Sequence, residues 1–342
     1  MTAHVEIIDA GPAVTVQDLG RQGYIARGLT RGGAMDRLAL YEAAALLGQP
    51  VTAALEMIGM GGRFKVTKPT RIALTGAPMT ATIDDAAVTW HGSHLLKPGC
   101  ELRIGGVRAG AIGYLTFAGG LATPPMMGAQ SAHLAAELGA ILKAGDTLPL
   151  VGDKGGPSDL VIDPDQRFRG GEIGIVRSMQ SHHFGEESLQ RFAATQFIRD
   201  ARANRQGIRL NPDGEGFAAE GGLTVVSEVI VPGDIQITGD GAPYVLMCES
   251  QTTGGYPRIA TVLPCDLPLV AQAPLGAKMT MRLYDADAAV TREKAGRAHM
   301  QTLKSRVGPR FRDPASMTDL LGYTLIGGAI SATADPFEGD LQ

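Results

Sequence analysis

Lys97–Gly120 reads KPGCELRIGGVRAGAIGYLTFAGG, and Val231–Gly255 reads VPGDIQITGDGAPYVLMCESQTTGG. Each stretch opens on a Pro-Gly turn and continues as a short alternating strand. A glycine-rich turn follows, then an aromatic-centred apolar strand that ends in Gly-Gly. The Pro-Gly pairs start at Pro98 and Pro232, an offset of 232 − 98 = 134, and the Gly-Gly pairs at Gly119 and Gly254, an offset of 254 − 119 = 135. Farther on, LKAGDTLPL and APLGAKMTMRL place Gly145 and Gly276 at an offset of 276 − 145 = 131. Three landmarks with nearly one spacing are the mark of an internal duplication.

Working outward, short apolar runs such as TRIALTG, GYLTFAGG, GLTVVSEVIVPG, DIQITG and PYVLMCES are punctuated by 46 glycines and 20 prolines. That spacing predicts many short strands in barrels or sandwiches. Two segments read as helices. AMDRLALYEAAALLG has Asp36 as N-cap and Gly48 as C-cap, with Leu38, Tyr41, Ala45 and Leu46 on one face. EESLQRFAATQFIRDA carries Leu189, Phe192 and Phe197 on a stripe. Each half thus begins with a strand, then a helix, then further strands. The fold expected is mainly β with a few short helices, in two related β-barrel domains. The boundary is expected in the Gly-, Pro- and Asp-rich stretch 151–171, giving residues 1–160 and 161–342.

The chain has 342 residues, 44% hydrophobic and 19% charged, which is ample for a core of that size. A net charge of −4 with scattered Lys and Arg argues against a nucleic-acid or acidic-membrane partner. MTAHVEIIDAGPAV has no positive stretch followed by an apolar run, so no secretory signal is expected. No window approaches the ~18 uninterrupted apolar residues of a membrane helix. Cys100, Cys248 and Cys265 are odd in number and widely spaced, which fits reduced thiols and a cytoplasmic location.

GxxxxGK[ST], GxGxxG after a strand, GxSxG and HExxH are all missing from the sequence. Four polar clusters remain. TVQDLGRQGY, followed by RGGAMD, offers Asp18, Arg21 and Asp36 beside glycines. RSMQSHHF offers His182 and His183, whose imidazoles titrate near neutral pH and suit general base work. ANRQGIRL offers Asn204, Arg205 and Arg209, a clamp for a carboxylate or phosphate. QTTGGYP offers Gln251, Thr252, Thr253, Gly254, Gly255 and Tyr256, where hydroxyls and backbone N–H groups around a bend would cradle an oxyanion. No metal site is expected, because no third ligand stands at useful spacing from the histidines.

TVQDLGRQGY…GLTRGGAMDRLAL, YLTFAGG, ANRQGIRL, PGDIQITGDGAPYVL and QTTGGYPRIATVLPCDLPLVAQ together resemble the family called 5-oxoprolinase C-subunit, KipA or allophanate hydrolase subunit 2. The resemblance runs from about Val5 to Ala334, and the same unit is similar to part of the carboxyltransferase region of biotin-dependent urea carboxylase. It implies two cyclophilin-like β-barrel domains. It also implies an ATP-dependent opening of 5-oxo-L-proline to L-glutamate with ADP and phosphate as products, with Mg2+ accompanying the ATP. The implied partners are a KipI-like protein, the B-subunit of such an enzyme, together with an A-subunit. Asp18, Asp36, His182 and His183 stand as catalytic candidates. Arg21, Asn204, Arg205, Arg209 and the 251–256 stretch stand as substrate or nucleotide contacts.

Two other readings accompany it: a carboxyltransferase or allophanate hydrolase-type subunit of a biotin-dependent urea or amide carboxylase, with biotin supplied by another protein, and a non-catalytic KipA-like regulatory module. Three departures mark this chain. GAQS at 128–131 puts Gln130 where the family pattern has arginine. Glu249 and Ser250 precede QTTGG in place of Asp and Arg or Ala. AAALLGQ ends at Gln49 in place of asparagine.

Overall fold

In the computed structural model, residues 2–220 and 225–311 are described. The expected mainly β architecture with barrel sheets and a few short helices is present. Residues 222–224 of the GLTVVSEVIVPG run and everything after Phe311, including the end of the family resemblance and of the 161–342 span, lie outside the described residues.

The first half folds into two sheets. One has the strand order Thr147–Leu150, Ala3–Ala10, Met60–Val66, Leu102–Val107, Met79–Ile83, Ala86–Ala87. The other runs Val14–Gln17, Ala54–Ile58, Ile112–Phe117, Thr70–Gly76, Gly92–Leu96, and is extended by Leu160–Ile162 and then by Val307–Pro309 from the second half, so residues 1–160 do not build it alone. The TRIALTG strand is buried along its whole length, as a strand covered on both faces must be. Val5, Ile7, Phe64, Leu74, Leu115 and Phe117 form the core between the sheets.

The second half is a closed barrel of seven strands, sealed where Gly171–Arg177 pairs in parallel with Lys278–Leu283. Its core centres on Phe192, Phe197 and Phe217, with ring centroids 4.9 Å apart for the first pair and 5.1 Å for Phe192 and Phe217.

The duplicated strands are used differently in the two halves. In the second, Asp234–Ile237 and Pro243–Leu246 pair directly, with Ile235 opposite Val245. In the first, Leu102–Val107 and Ile112–Phe117 belong to different sheets. The physical difference lies in the connection. Ala111 N and Ile112 N, 3.1 and 3.0 Å from Gln272 Oε1, donate to that side chain of the second half.

Both helices form, with corrections. The Arg37–Leu47 helix has the expected caps: Asp36 accepts from Ala39 N at 3.3 Å, and Gly48 takes the left-handed conformation. Its buried face, however, is Ala39, Leu40, Ala43, Leu46 and Leu47, while Leu38, Tyr41 and Ala45 are only partly covered. The second helix stops at Ala194, and Gln196–Ala203 is a barrel strand. Phe197 therefore reaches the core from a strand, because alternation buries it as well as a helical stripe would.

Among buried polar groups, His91 has left-handed φ and its Nε2 lies 2.8 Å from Gly76 O, the geometry of a neutral imidazole donating to a carbonyl. Burial pushes its pKa from 6.5 down to about 4, against the pull of that carbonyl. The folded state therefore resists protonation that the unfolded chain accepts. Stability present above pH 6.5 is lost as pH falls towards about 4, by about 3 kcal/mol in total. Urea midpoints for the protein and His91→Gln should converge as pH drops through this window. A constant gap between them would refute the assignment.

Candidate active site

A buried polar lattice joins the two halves. Arg205, in the turn before the barrel strand Gly207–Pro212, reaches across to the first half. Its Nη1 pairs with Glu56, its Nη2 donates to Gly33 O at 2.7 Å, and its Nε meets Glu249 Oε1 at 2.5 Å. Glu56 Oε2 also accepts from Tyr114 Oη at 2.6 Å and Met35 N at 2.9 Å. Burial alone would lower the Arg205 pKa, but the carboxylate of Glu56, with Cys248 and Glu249, more than offsets it and holds the guanidinium charged.

Gly33 makes this possible. At φ +80°, a Cβ there would stand 2.6 Å from Gly20 N, so only glycine lets its carbonyl reach Arg205. A second node is Asp36, whose Oδ2 accepts from Arg167 Nε and Gln272 Nε2, both at 2.7 Å. Arg167 in turn holds Glu42 in a bidentate pair, at 2.8 Å on each branch.

These contacts decide where the sequence candidates stand. Asp36 is fully buried and committed to helix capping, Arg167 and Gln272. Asp18 accepts from Gly20 N at 2.8 Å and Gln130 N at 2.7 Å, so it shapes a turn. Asn204 Oδ1 accepts from Gln206 N and Gly207 N, which closes the turn ahead of the barrel strand. Arg209 pairs with Asp240 at 2.7 Å on the barrel's outer side. His182 and His183 lie on a 3-10 turn with ring centroids 4.1 Å apart.

Thr253–Gly254 forms a two-residue ribbon with Glu228–Val229, and Tyr256 is 47% exposed. Neither Gly254 nor Gly255 has positive φ, and the bends in this stretch fall on either side of them, at Thr252 and Tyr256. Gly254 is needed for close approach, since a Cβ there would stand 2.5 Å from Gln236 Nε2 and 3.0 Å from Ile230 Cδ1. Among the described residues, no hydrogen bond or ion pair joins this ribbon to Arg205 or to either histidine. The RSMQSHHF and QTTGGYPR stretches meet instead through Gln180, whose Nε2 donates to Glu228 at 2.9 Å and whose Oε1 accepts from Arg258 N at 3.1 Å.

Arg21 differs from the other candidates. It is buried, Nη2 donates to Ser131 O at 2.5 Å, and Nε and Nη1 have no partner among the described residues.

A cleft of about 790 Å³ opens beside the lattice, between the Arg37–Leu47 helix and the Ala286–Thr302 helix. Leu38, Tyr41, Met247 and Leu267 supply apolar wall, which is why the helix leaves Leu38 and Tyr41 only partly covered. Five arginines reach it. Arg167 and Arg292 are neutralised by carboxylates, and Arg297 stands 3.5 Å from Glu293. Arg31 and Arg37 make no ion pair among the described residues, and Arg37 Nε is buried without a partner. Burial, then the neighbouring Arg37 charge, lowers the Arg31 pKa.

Cys248 also lines the cleft, but burial pushes its thiol up to about 12, so it is no thiolate nucleophile at neutral pH. No group of three or more His, Cys, Asp or Glu among the described residues is placed to hold a metal ion. No helix among them is long and apolar enough to cross a membrane. Sequence reasoning passes over Arg31 and Arg37, although RGGAMD stands out as a motif. The sequence gives no such signal, since Asp36 stands directly before Arg37 and it is the fold that commits Asp36 to Arg167 and Gln272.

A two-sheet half and a closed-barrel half are locked by buried ion pairs, with a cationic cleft at their junction, in a mainly β protein. The chain belongs to the carboxyltransferase domain family (subdomain A and B), whose model matches residues 27–283. It is 36% identical to the 5-oxoprolinase C-subunit of Escherichia coli (strain K12) over 80% of this chain and 88% of the relative. The corresponding protein of Haemophilus influenzae is 30% identical, again over 80% and 88%. The crystal structure of Kluyveromyces lactis urea carboxylase shares the fold at a TM-score of 0.76 and 24% identity, covering 91% of this chain and 31% of that one.

Proposed function

We propose that this chain is one subunit of an ATP-dependent 5-oxoprolinase, working with a KipI-like protein as B-subunit, together with an A-subunit, to open 5-oxo-L-proline to L-glutamate. The similarity to the 5-oxoprolinase C-subunit over most of both chains supports the substrate class. The observation that carries the reading is the pair Arg31 and Arg37, unneutralised in an apolar-walled cleft. Two guanidiniums without carboxylate partners repel each other and are held together at a cost. An anionic ligand removes that cost by forming charge-assisted hydrogen bonds.

A triphosphate on a flat base suits this cleft, with the phosphates on the arginines and the base against Tyr41 and Leu38. Its volume falls within the range of small-molecule sites. ATP, accompanied by Mg2+, supplies the activation a planar amide lacks, because a phosphorylated amide oxygen is a good leaving group and the amide itself a poor electrophile. The chain's own part is electrostatic: positive, water-poor surroundings for charge on the transferring group.

The test is ATP hydrolysis by this chain co-expressed with its KipI-like partner, with and without 5-oxo-L-proline. Stimulation by the lactam is expected. A well-folded complex whose hydrolysis ignores the lactam would overturn the reading.

A further inference from the structure

Arg31 and Arg37 reach an apolar-walled cleft in which no carboxylate of the described residues pairs with them. The sequence beyond Arg312 is their electrostatic complement. From Asp313 to Gln342 it holds five acidic residues, Asp313, Asp319, Asp335, Glu338 and Asp340, and no Lys, Arg or His. The net charge of −4 therefore divides into −5 on this segment and −4 − (−5) = +1 on everything before it.

Within the segment, Asp335–Asp340 reads DPFEGD, three carboxylates around one aromatic ring. The cleft offers two guanidiniums beside Leu38, Tyr41, Met247 and Leu267. A guanidinium fork donates two parallel hydrogen bonds to a carboxylate, and a phenyl ring buries a large area against aliphatic and aromatic walls. The family model matches residues 27–283, so this stretch lies outside what defines the family.

The cleft is also within reach. Val307–Pro309 pairs with Leu160–Ile162, with Val307 opposite Ile162. Asp165, three residues past Ile162, lines the cleft. At about 3.5 Å per residue along each strand end and about 5 Å across the pair, Phe311 lies at most about 30 Å from the cleft wall. The 23 residues from Arg312 to Ala334 cover that span with slack. Closing a loop of that length costs little more than closing a shorter one.

We infer that the stretch Asp335–Asp340 docks into the cleft of its own chain, with its carboxylates on Arg31 and Arg37 and Phe337 against Leu38 and Tyr41. The cleft then carries a resident anion that any incoming anionic ligand must displace, and apparent affinity falls by the fraction of time the cleft is filled. The inference adds regulation to the cleft read above as a nucleotide site, and rests on that reading only for ATP as the displacing ligand.

Thiol labelling of the full chain tests it without turnover. Cys265 lines the cleft and is partly exposed, while Cys100, also partly exposed, does not line it. Burial and the Asp266 carboxylate push the Cys265 thiol up to about 12, so N-ethylmaleimide reacts slowly and rates are compared between variants. Asp335→Asn/Glu338→Gln/Asp340→Asn should raise the Cys265 rate about fivefold or more, the change expected if the stretch fills the cleft about four-fifths of the time. The Cys100 rate should not move. Arg31→Gln/Arg37→Gln should give the same rise, and the combined variant no further rise, because both remove one contact.

Equal Cys265 rates in wild type and the triple variant would overturn the inference, whatever the response to ATP. Protection that grows with protein concentration would overturn it too, since the stretch would then come from a second copy. Concentration-independent protection that is lost in the triple variant and not restored by ATP would uphold the docking and overturn only the nucleotide reading.

Discussion

Arg205→Met is expected to destabilise the protein by about 3–5 kcal/mol, the usual penalty for removing one partner of a buried ion pair. Arg205 answers Glu56, Glu249 and the Gly33 carbonyl together. The Glu56 side chain is 0% exposed and that of Glu249 2% exposed, so neither carboxylate has water to turn to. Tyr114, whose pKa burial and Glu56 hold well above 10, remains a hydrogen-bond donor and cannot replace a cation.

The loss should appear as a lower urea midpoint. Arg205→Lys should recover only part of it, because a single ammonium cannot serve acceptors on both the Nε and Nη edges. Arg205→Met/Glu56→Gln should be less destabilised than Arg205→Met alone, since the stranded charge is gone. Equal midpoints for wild type and Arg205→Met would show that the lattice contributes nothing to stability.

Arg31→Gln/Arg37→Gln has the opposite signature. Two charge-assisted contacts to phosphate, each worth about 1.5–3 kcal/mol, put the expected loss in kcat/KM for ATP at about 100-fold or more. Stability should hold or rise. Neither arginine has a carboxylate partner among the described residues, and each repels the other. Arg37 also opens a helix, where a cation opposes the macrodipole. Restoring lysine at both positions should return part of the ATP dependence, as the charge returns without the fork. An unchanged KM for ATP in the double glutamine variant would place the nucleotide on a partner protein.

The departures from the family pattern have local explanations. Gln130 Nε2 donates to Leu121 O, Thr123 O and Thr123 Oγ1 at 2.8–3.1 Å, bracing the loop beside Arg21. Gln49 Oε1 accepts from Gly119 N at 2.8 Å, tying the helix end to the Gly-Gly turn. Glu249 is one jaw of the Arg205 lattice, and its Oε2 lies 3.9 Å from His133 Nδ1.

By itself the sequence determined the local elements. Asp36 and Gly48 punctuate a helix because an N-cap oxygen and a left-handed glycine act on their own neighbours. TRIALTG forms a strand through the propensity of its own seven residues. The Pro-Gly and Gly-Gly landmarks were legible because such turns are local, but not that the strands between them pair in the second half and lie in different sheets in the first. The helix expected over 186–201 fails at Thr195, where a short apolar stripe satisfies either periodicity.

The site was legible only as a list of residues. The sequence marks Arg205 as a clamp for ligand, and the fold spends it on Glu56, 149 residues away. It marks Asp36 for catalysis, and Asp36 is held by Arg167 and Gln272, 131 and 236 residues away. Whether a buried charge is neutralised or left free depends on which carboxylates packing brings within about 4 Å. That distance is set by tertiary structure alone, which is why Arg21, Arg31 and Arg37 have no carboxylate in ion-pair reach among the described residues while arginines of the same chemistry became structural.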